Sequence, residues 1–192
     1  MFAGDRPEDL RFLDPKVAGV AYIATTVILG TTGISFHGRL DPLDYPQGAA
    51  VMPVVRIEAR AETLPPRENV IPYLLPAAEG AHALQIDFDP GDSQRYWYFG
   101  LLADLRRALP ADKRLSVAVR PEWCAPGGWI EGLPVDEAVP LLFRGAGEIA
   151  LPVCQSSAGV WGSEAAPRVT RLYRFHPLPW TADAYKKLVD RR

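Results

Sequence analysis

The chain has 192 residues, 21 basic and 23 acidic side chains, a net charge of −2, three His and two Cys, and 48% of it is apolar. That is the size and composition of one globular domain, with no broad electrostatic attraction to nucleic acid or to an anionic membrane. Two Cys and three His exclude a dense disulfide framework and argue against a closed zinc site of Cys and His ligands. No cofactor is expected, and a carboxylate-bound divalent cation is a lesser alternative to a metal-free chain. No apolar run reaches the ~18 residues of a membrane span, and the opening MFAGDRPEDLRF has neither the basic region nor the apolar core of a signal peptide.

Taken in chain order, Val17–Leu29 (VAGVAYIATTVIL) and Val51–Ala59 (VMPVVRIEA) read as strands. The cluster Pro65-Pro66, Pro72 and Pro76 marks an irregular or broken-helix connection to the next strand, Ala83–Asp89 (ALQIDFD). Ser93–Leu109 is the clearest helix: Tyr98, Leu102, Leu105 and Leu109 share one face, Asp92 or Ser93 can cap it, Arg106 and Arg107 suit its C-terminal end, and Pro110 stops it. Strands Leu115–Arg120, Ala138–Arg144 and Thr170–His176 follow, and a weaker helix over Thr181–Asp190 closes the chain.

Strand, long helix and strand within ~35 residues predict a right-handed crossover and parallel pairing. The faces of the strands separate an open sheet from a barrel. Leu84, Ile86 and Phe88 oppose Gln85, Asp87 and Asp89, and Val55 and Ile57 oppose Arg56 and Glu58. Leu115, Val117 and Val119 likewise oppose Ser116, Ala118 and Arg120, and Val139, Leu141 and Phe143 oppose Pro140, Leu142 and Arg144. An open parallel sheet would be apolar on both faces, so this pattern predicts an α/β fold whose outer face packs on helices around a polar interior. A complete barrel takes ~250 residues, so a reduced or incomplete (β/α) TIM-like barrel is expected.

Asp87 and Asp89 stand two residues apart at a strand end, which places two carboxylates on one face as in acid–base hydrolysis of a glycosidic bond. Asp89 can equally organise the turn Asp89-Pro90-Gly91. Arg56 and Glu58 fall beside Gln85 and Asp87 if the two strands are neighbours. Glu58 is then a second partner for Asp87, while Arg56 either binds substrate or fills the interior as an ion pair. Glu122 and Trp123 bring a carboxylate and an indole to the same end, the combination that sugars favour, and Arg144 lies at the end of the next strand. Asp136-Glu137, before that strand, reads as a cap or a bottom-face ion pair.

The stretch LQIDFDPGDSQRYWYFGLLADLRRALP, then LSVAVRPEW, LPVDEAVPLLFR, Cys154, Gly159 and Glu164, resembles a bacterial family of hypothetical, often exported proteins. That family is a domain of unknown function with a barrel related to glycoside hydrolases. LDPKVAGVAYIATTVIL and VVRIEA fit it too, so the resemblance covers about residues 10–182. It implies that Arg56, Glu58, Gln85, Asp87, Asp89, Trp123 and Arg144 belong to the site. It also implies an exported or periplasmic setting, and a single domain over residues 1–192 without the family's first strand and helix. Arg120, Glu122, Gly145 and Ser163 depart from the family's pattern near the site. In such a setting Cys124 and Cys154, whose loops follow successive strands, can bond.

The expectation is therefore a carbohydrate-active hydrolase with Asp87 as leading carboxylate and Asp89 or Glu58 as its partner. Arg56, Gln85, Glu122, Trp123 and Arg144 would bind substrate. The alternative is a non-catalytic barrel that binds a glycan or a protein. A barrel without its first unit would leave Val17–Leu29 or its neighbour unpaired, an edge that invites a homo-oligomer.

Overall fold

Period-two alternation and β-branched residues set the strands, and the computed structural model, which describes residues 1–165 and 167–190, arranges them as follows. The elements in order are β1 (Phe2–Ala3), β2 (Glu8–Asp9), β3 (Val20–Gly30), β4 (Gly33–Gly38), β5 (Leu43–Asp44), β6 (Val51–Ala59) and α1 (Arg67–Leu74). There follow β7 (Ala83–Asp87), α2 (Arg95–Ala108), β8 (Arg114–Val119), β9 (Glu137–Pro140), α3 (Pro152–Gln155), β10 (Ser157–Trp161), β11 (Arg171–Phe175) and α4 (Ala182–Val189).

β1, β3, β6, β7, β8 and β9 run parallel in that order, and β4 folds back antiparallel on β3. The sheet is mixed with helices and curls into a half-barrel. A second parallel pair, β10–β11, meets it through a single bridge between Leu141 and Gly159. The curl is visible in one cluster of buried side chains: Phe2, Ile23, Val54, Ala118, Val139 and Tyr173 come from both ends of the strand order and pack together on the inner face.

On the outer face Val55, Ile57, Leu84, Ile86, Leu115 and Val117 meet Val70 and Leu74 of α1 and Tyr98, Leu101, Leu102 and Leu105 of α2. This is the face on which the sequence predicts helices. α2 ends as its sequence dictates, with Arg106 and Arg107 in the last turn. Its start differs: a 3-10 turn over Asp92–Gln94 precedes it, and the Gln94 side chain, rather than Asp92 or Ser93, accepts from the Gly91 N–H. The proline-rich connection holds a true helix, α1, of eight residues with Pro72 inside it, so β6–α1–β7 is a second parallel crossover.

Two expectations are corrected. Glu137 and Val139 point inward and Ala138 outward, so β9 has the opposite phase to the one its apolar residues suggest; β9 ends at Pro140 and Leu142–Arg144 form a 3-10 turn. The edge of β3 expected to be open is occupied, by β1 at Ala21 and Tyr22 and by β4 from Thr25 to Gly30. Between β1 and β3 the chain carries β2 and no helix. No helix among the described residues is long and apolar enough to cross a membrane.

Candidate functional site

Parallel pairing of β6 and β7 puts Arg56 directly opposite Asp87. Asp87 is 8% exposed at the C-terminal end of β7, and its carboxylate accepts from Arg56 Nε at 3.5 Å and from Arg144 Nη1 at 3.3 Å. Arg56 also reaches Asp5, with Nη1 3.6 Å from the Asp5 carboxylate. Strand ends, a turn after β9 and the N-terminal segment thus converge on one polar cluster. The turn carrying Arg144 is fixed by close approach: a Cβ at Gly147 would lie 2.7 Å from the backbone nitrogen of Glu122. Gly145 has φ +149°, which favours glycine.

Beside Arg144 runs a row of rings. Phe2 stacks on Phe175 at 4.3 Å, Phe175 meets Phe143 at 5.0 Å, and Phe143 meets Trp161 edge-on at 5.1 Å. Trp161, the last residue of β10, is 38% exposed. Among the described residues it is the indole that reaches furthest into the solvent.

The remaining candidates divide. Gln85 is on the inner wall below Asp87 but is fully buried, donating to Ser116 Oγ at 3.1 Å, so it is an interior strut rather than a surface a ligand meets. Glu58 sits further along β6 and pairs with Arg60 at 2.9 Å. Asp89 lies beyond the end of β7, exposed, and both its oxygens accept from Arg120 Nε at 3.0 Å. Glu122 lies 3.7 Å from the same arginine. Asp89, Arg120 and Glu122 thus form their own ion-paired group, and Asp89 does not share the strand face of Asp87. Trp123 is 6% exposed and packs edge-on to Trp129 at 5.0 Å in the outer core. Burial takes it out of any sugar platform.

The opposite, N-terminal end of the strands carries a second polar group that sequence reading treated as structural. Glu137, 1% exposed, accepts from Arg171 Nε at 2.8 Å, from the Tyr173 hydroxyl at 3.1 Å and from Ser157 Oγ. Burial pushes its carboxyl up, but the bonds from Ser157 and Arg171 and the charge of Arg171 outweigh this, so it titrates below its ordinary value. Burial, with the Glu137 charge, pushes the Tyr173 phenol up. A cavity of about 520 Å³ opens beside them. The parity of β11, with Arg171 and Tyr173 on one side, was the available sequence signal for this group.

Cys124, at the end of the 3-10 turn Pro121–Cys124 after β8, is bonded to Cys154 in α3. Among the described residues no group of three or more His, Cys, Asp or Glu is placed to hold a metal ion.

The class these features define is a mixed α/β half-barrel with a polar cluster at the C-terminal ends of its parallel strands. Compared with known proteins, the chain matches no family model, no curated protein and no solved structure.

Proposed function

We propose that the chain is a glycoside-hydrolase-like barrel that binds a carbohydrate at its C-terminal mouth without cleaving it. The finer fold reading is a reduced (β/α) TIM-like barrel, in which β10 and β11 continue the curl from β9 and return to β1. The bridge from Leu141 to Gly159 and the stacking of Phe175 on Phe2 support that circuit. The likeness of QIDFD…SQR and LPVDEAVP to the exported barrel family agrees with it, and a disulfide suits an oxidising compartment.

The observation that carries the functional reading is the Asp87–Arg56–Arg144 cluster beside the Phe143–Trp161 pair. Carboxylate and guanidinium together offer acceptors and donors to adjacent hydroxyls, while the C–H face of a sugar packs on an exposed ring. Binding is favoured over hydrolysis because each of the four strand-end carboxylates already has a cation: Asp87 has Arg56 and Arg144, Asp89 and Glu122 share Arg120, and Glu58 has Arg60. Hydrolysis needs one of them to carry and deliver a proton. The second reading, a hydrolase led by Asp87, is favoured by that residue's position at a strand end, where barrel enzymes place their chemistry.

Glycan-array binding followed by mass spectrometry of the bound glycans decides between them. The expected result is retention without product, with Asp87→Asn weakening retention by roughly tenfold or more. Product formed by the wild type and lost in Asp87→Asn would establish the hydrolase instead. If neither protein retains any glycan, the carbohydrate reading falls.

A further inference from the structure

The cavity at the N-terminal end of the strands has the size of small-molecule sites, about 520 Å³ against a usual range of ~300–1,000 Å³. It lies at the other end of the interior from Asp87, and the apolar side chains of Ile23, Val54, Ala118 and Val139 fill the space between. Its walls are apolar: Val20, Val51 and Met52 from the starts of β3 and β6, and Leu188 from α4.

Its polar floor is complete without a ligand. The Glu137 carboxylate has three donors, two of them the hydroxyls of Ser157 and Tyr173, and its charge is matched by Arg171. An incoming cation would find that charge already neutralised and would meet the guanidinium groups. Among the described residues that line the cavity Glu137 is the one acid and Arg171 pairs with it, whereas the Arg174 guanidinium donates to the carbonyls of Gly162 and Glu164, which leaves Arg114 as the arginine facing a ligand. Arg114 shares the inward parity of Ser116 and Ala118 on β8 and makes no ion pair among the described residues. Its charge acts on the neighbouring Tyr173 hydroxyl.

An apolar wall, a satisfied floor and the Arg114 guanidinium select one chemistry. We infer that this cavity binds a small amphipathic anion, its alkyl chain against Val20, Met52 and Leu188 and its carboxylate toward Arg114. A guanidinium presents a planar fork that matches a carboxylate, and the alkyl chain gains from leaving water.

Calorimetric titration of the full chain with decanoate tests this, with decyltrimethylammonium as the cation of equal chain length. Decanoate should bind once per chain, and the cation at least tenfold more weakly. Arg114→Gln should weaken decanoate by roughly tenfold, the effect of one hydrogen bond to a charged group. Met52→Trp should abolish binding by filling the cavity while circular dichroism shows the fold retained, and Leu188→Trp serves if that variant does not fold. The inference is overturned if decanoate fails to bind below the concentration at which it aggregates. Equal binding of the cation, or undiminished binding by a folded cavity-filling variant, also overturns it.

Discussion

Cys124 and Cys154 are both fully buried and 30 residues apart in sequence, and the chain between them contains β9 and the turn that carries Arg144. Cutting the bond therefore frees a long loop in the unfolded chain without exposing any new surface in the folded one. Loop-closure entropy assigns about 3 kcal/mol to a 15-residue loop and about 4.7 kcal/mol to a 100-residue loop, so a 30-residue loop contributes about 3.5 kcal/mol. With a urea m-value of roughly 2–3 kcal/mol/M, the unfolding midpoint should fall by roughly 1–2 M. The measurement is urea unfolding followed by tryptophan fluorescence, with and without reductant, because a buried bond is reduced only as the chain opens. Cys124→Ala/Cys154→Ala should show a loss at least as large, since it also removes buried sulfur. Coincident midpoints in oxidised and reduced protein, or two free thiols in denatured unreduced protein, would refute the reasoning. The native loop need not open far for the mouth to feel the change. Ala150 and Leu151 both donate to the Cys124 carbonyl, and after reduction these bonds, with that of Leu141 N–H to the Val119 carbonyl and of Arg144 to Asp87, still tie the stretch to β7 and β8.

Two further outcomes follow from the interior. The Glu137 carboxyl titrates below its ordinary value of 4.5 in the fold, so the stability it contributes is present above that pH and is lost as pH falls through the lower, folded-state value. Thermal unfolding across the acidic range should show this loss in the wild type and a flatter profile in Glu137→Gln. Gly159 lets β10 approach β9, since a Cβ there would meet Leu141 Cδ2 at 2.5 Å and Phe175 Cε2 at 3.1 Å. Gly159→Ala should therefore cost about 1–3 kcal/mol in chemical unfolding, and an unchanged midpoint would show that the β9–β10 contact is not close.

Much of the C-terminal mouth was legible because its strands alternate cleanly and sit next to each other. In ALQIDFD the large apolar residues Leu84, Ile86 and Phe88 are of one parity and pack in the core with α1 and α2, which leaves Asp87 on the inner wall. Arg56 lands opposite it because β6 precedes β7 in both sequence and sheet. The reading stopped where the strand stopped. Asp89 continues the alternation in the letters, but the backbone leaves the sheet after Asp87, and Arg120 holds Asp89 in a separate group. Trp123 failed for a related reason. Its place after a strand says nothing about direction, and the 3-10 turn that holds it folds the indole back onto Trp129.

At the N-terminal end the ion pair expected of Glu137 is present, but the facing of β9 was illegible for a different reason. In EAVPLLFR both parities are apolar, so hydrophobic pattern cannot choose a face for β9. The assumption of a polar interior chose wrongly, because at the level of Val139 and Leu141 the interior is itself an apolar plug. What decides the phase is Glu137, whose buried carboxylate finds Arg171 and Tyr173 some 34–36 residues later. A buried charge without those partners would cost several kcal/mol, so β9 and β11 fix each other's facing. That pairing also explains why a half-barrel needs β10 and β11 at all. These strands are only five residues each, and the ion pair to Glu137 together with the Phe2–Phe175 stack adds to their apolar burial and ties them to the two ends of the main sheet. The same plug separates the two mouths, so the groups that hold Asp87 and those that hold Glu137 can be altered independently, and each proposed ligand can be tested without the other.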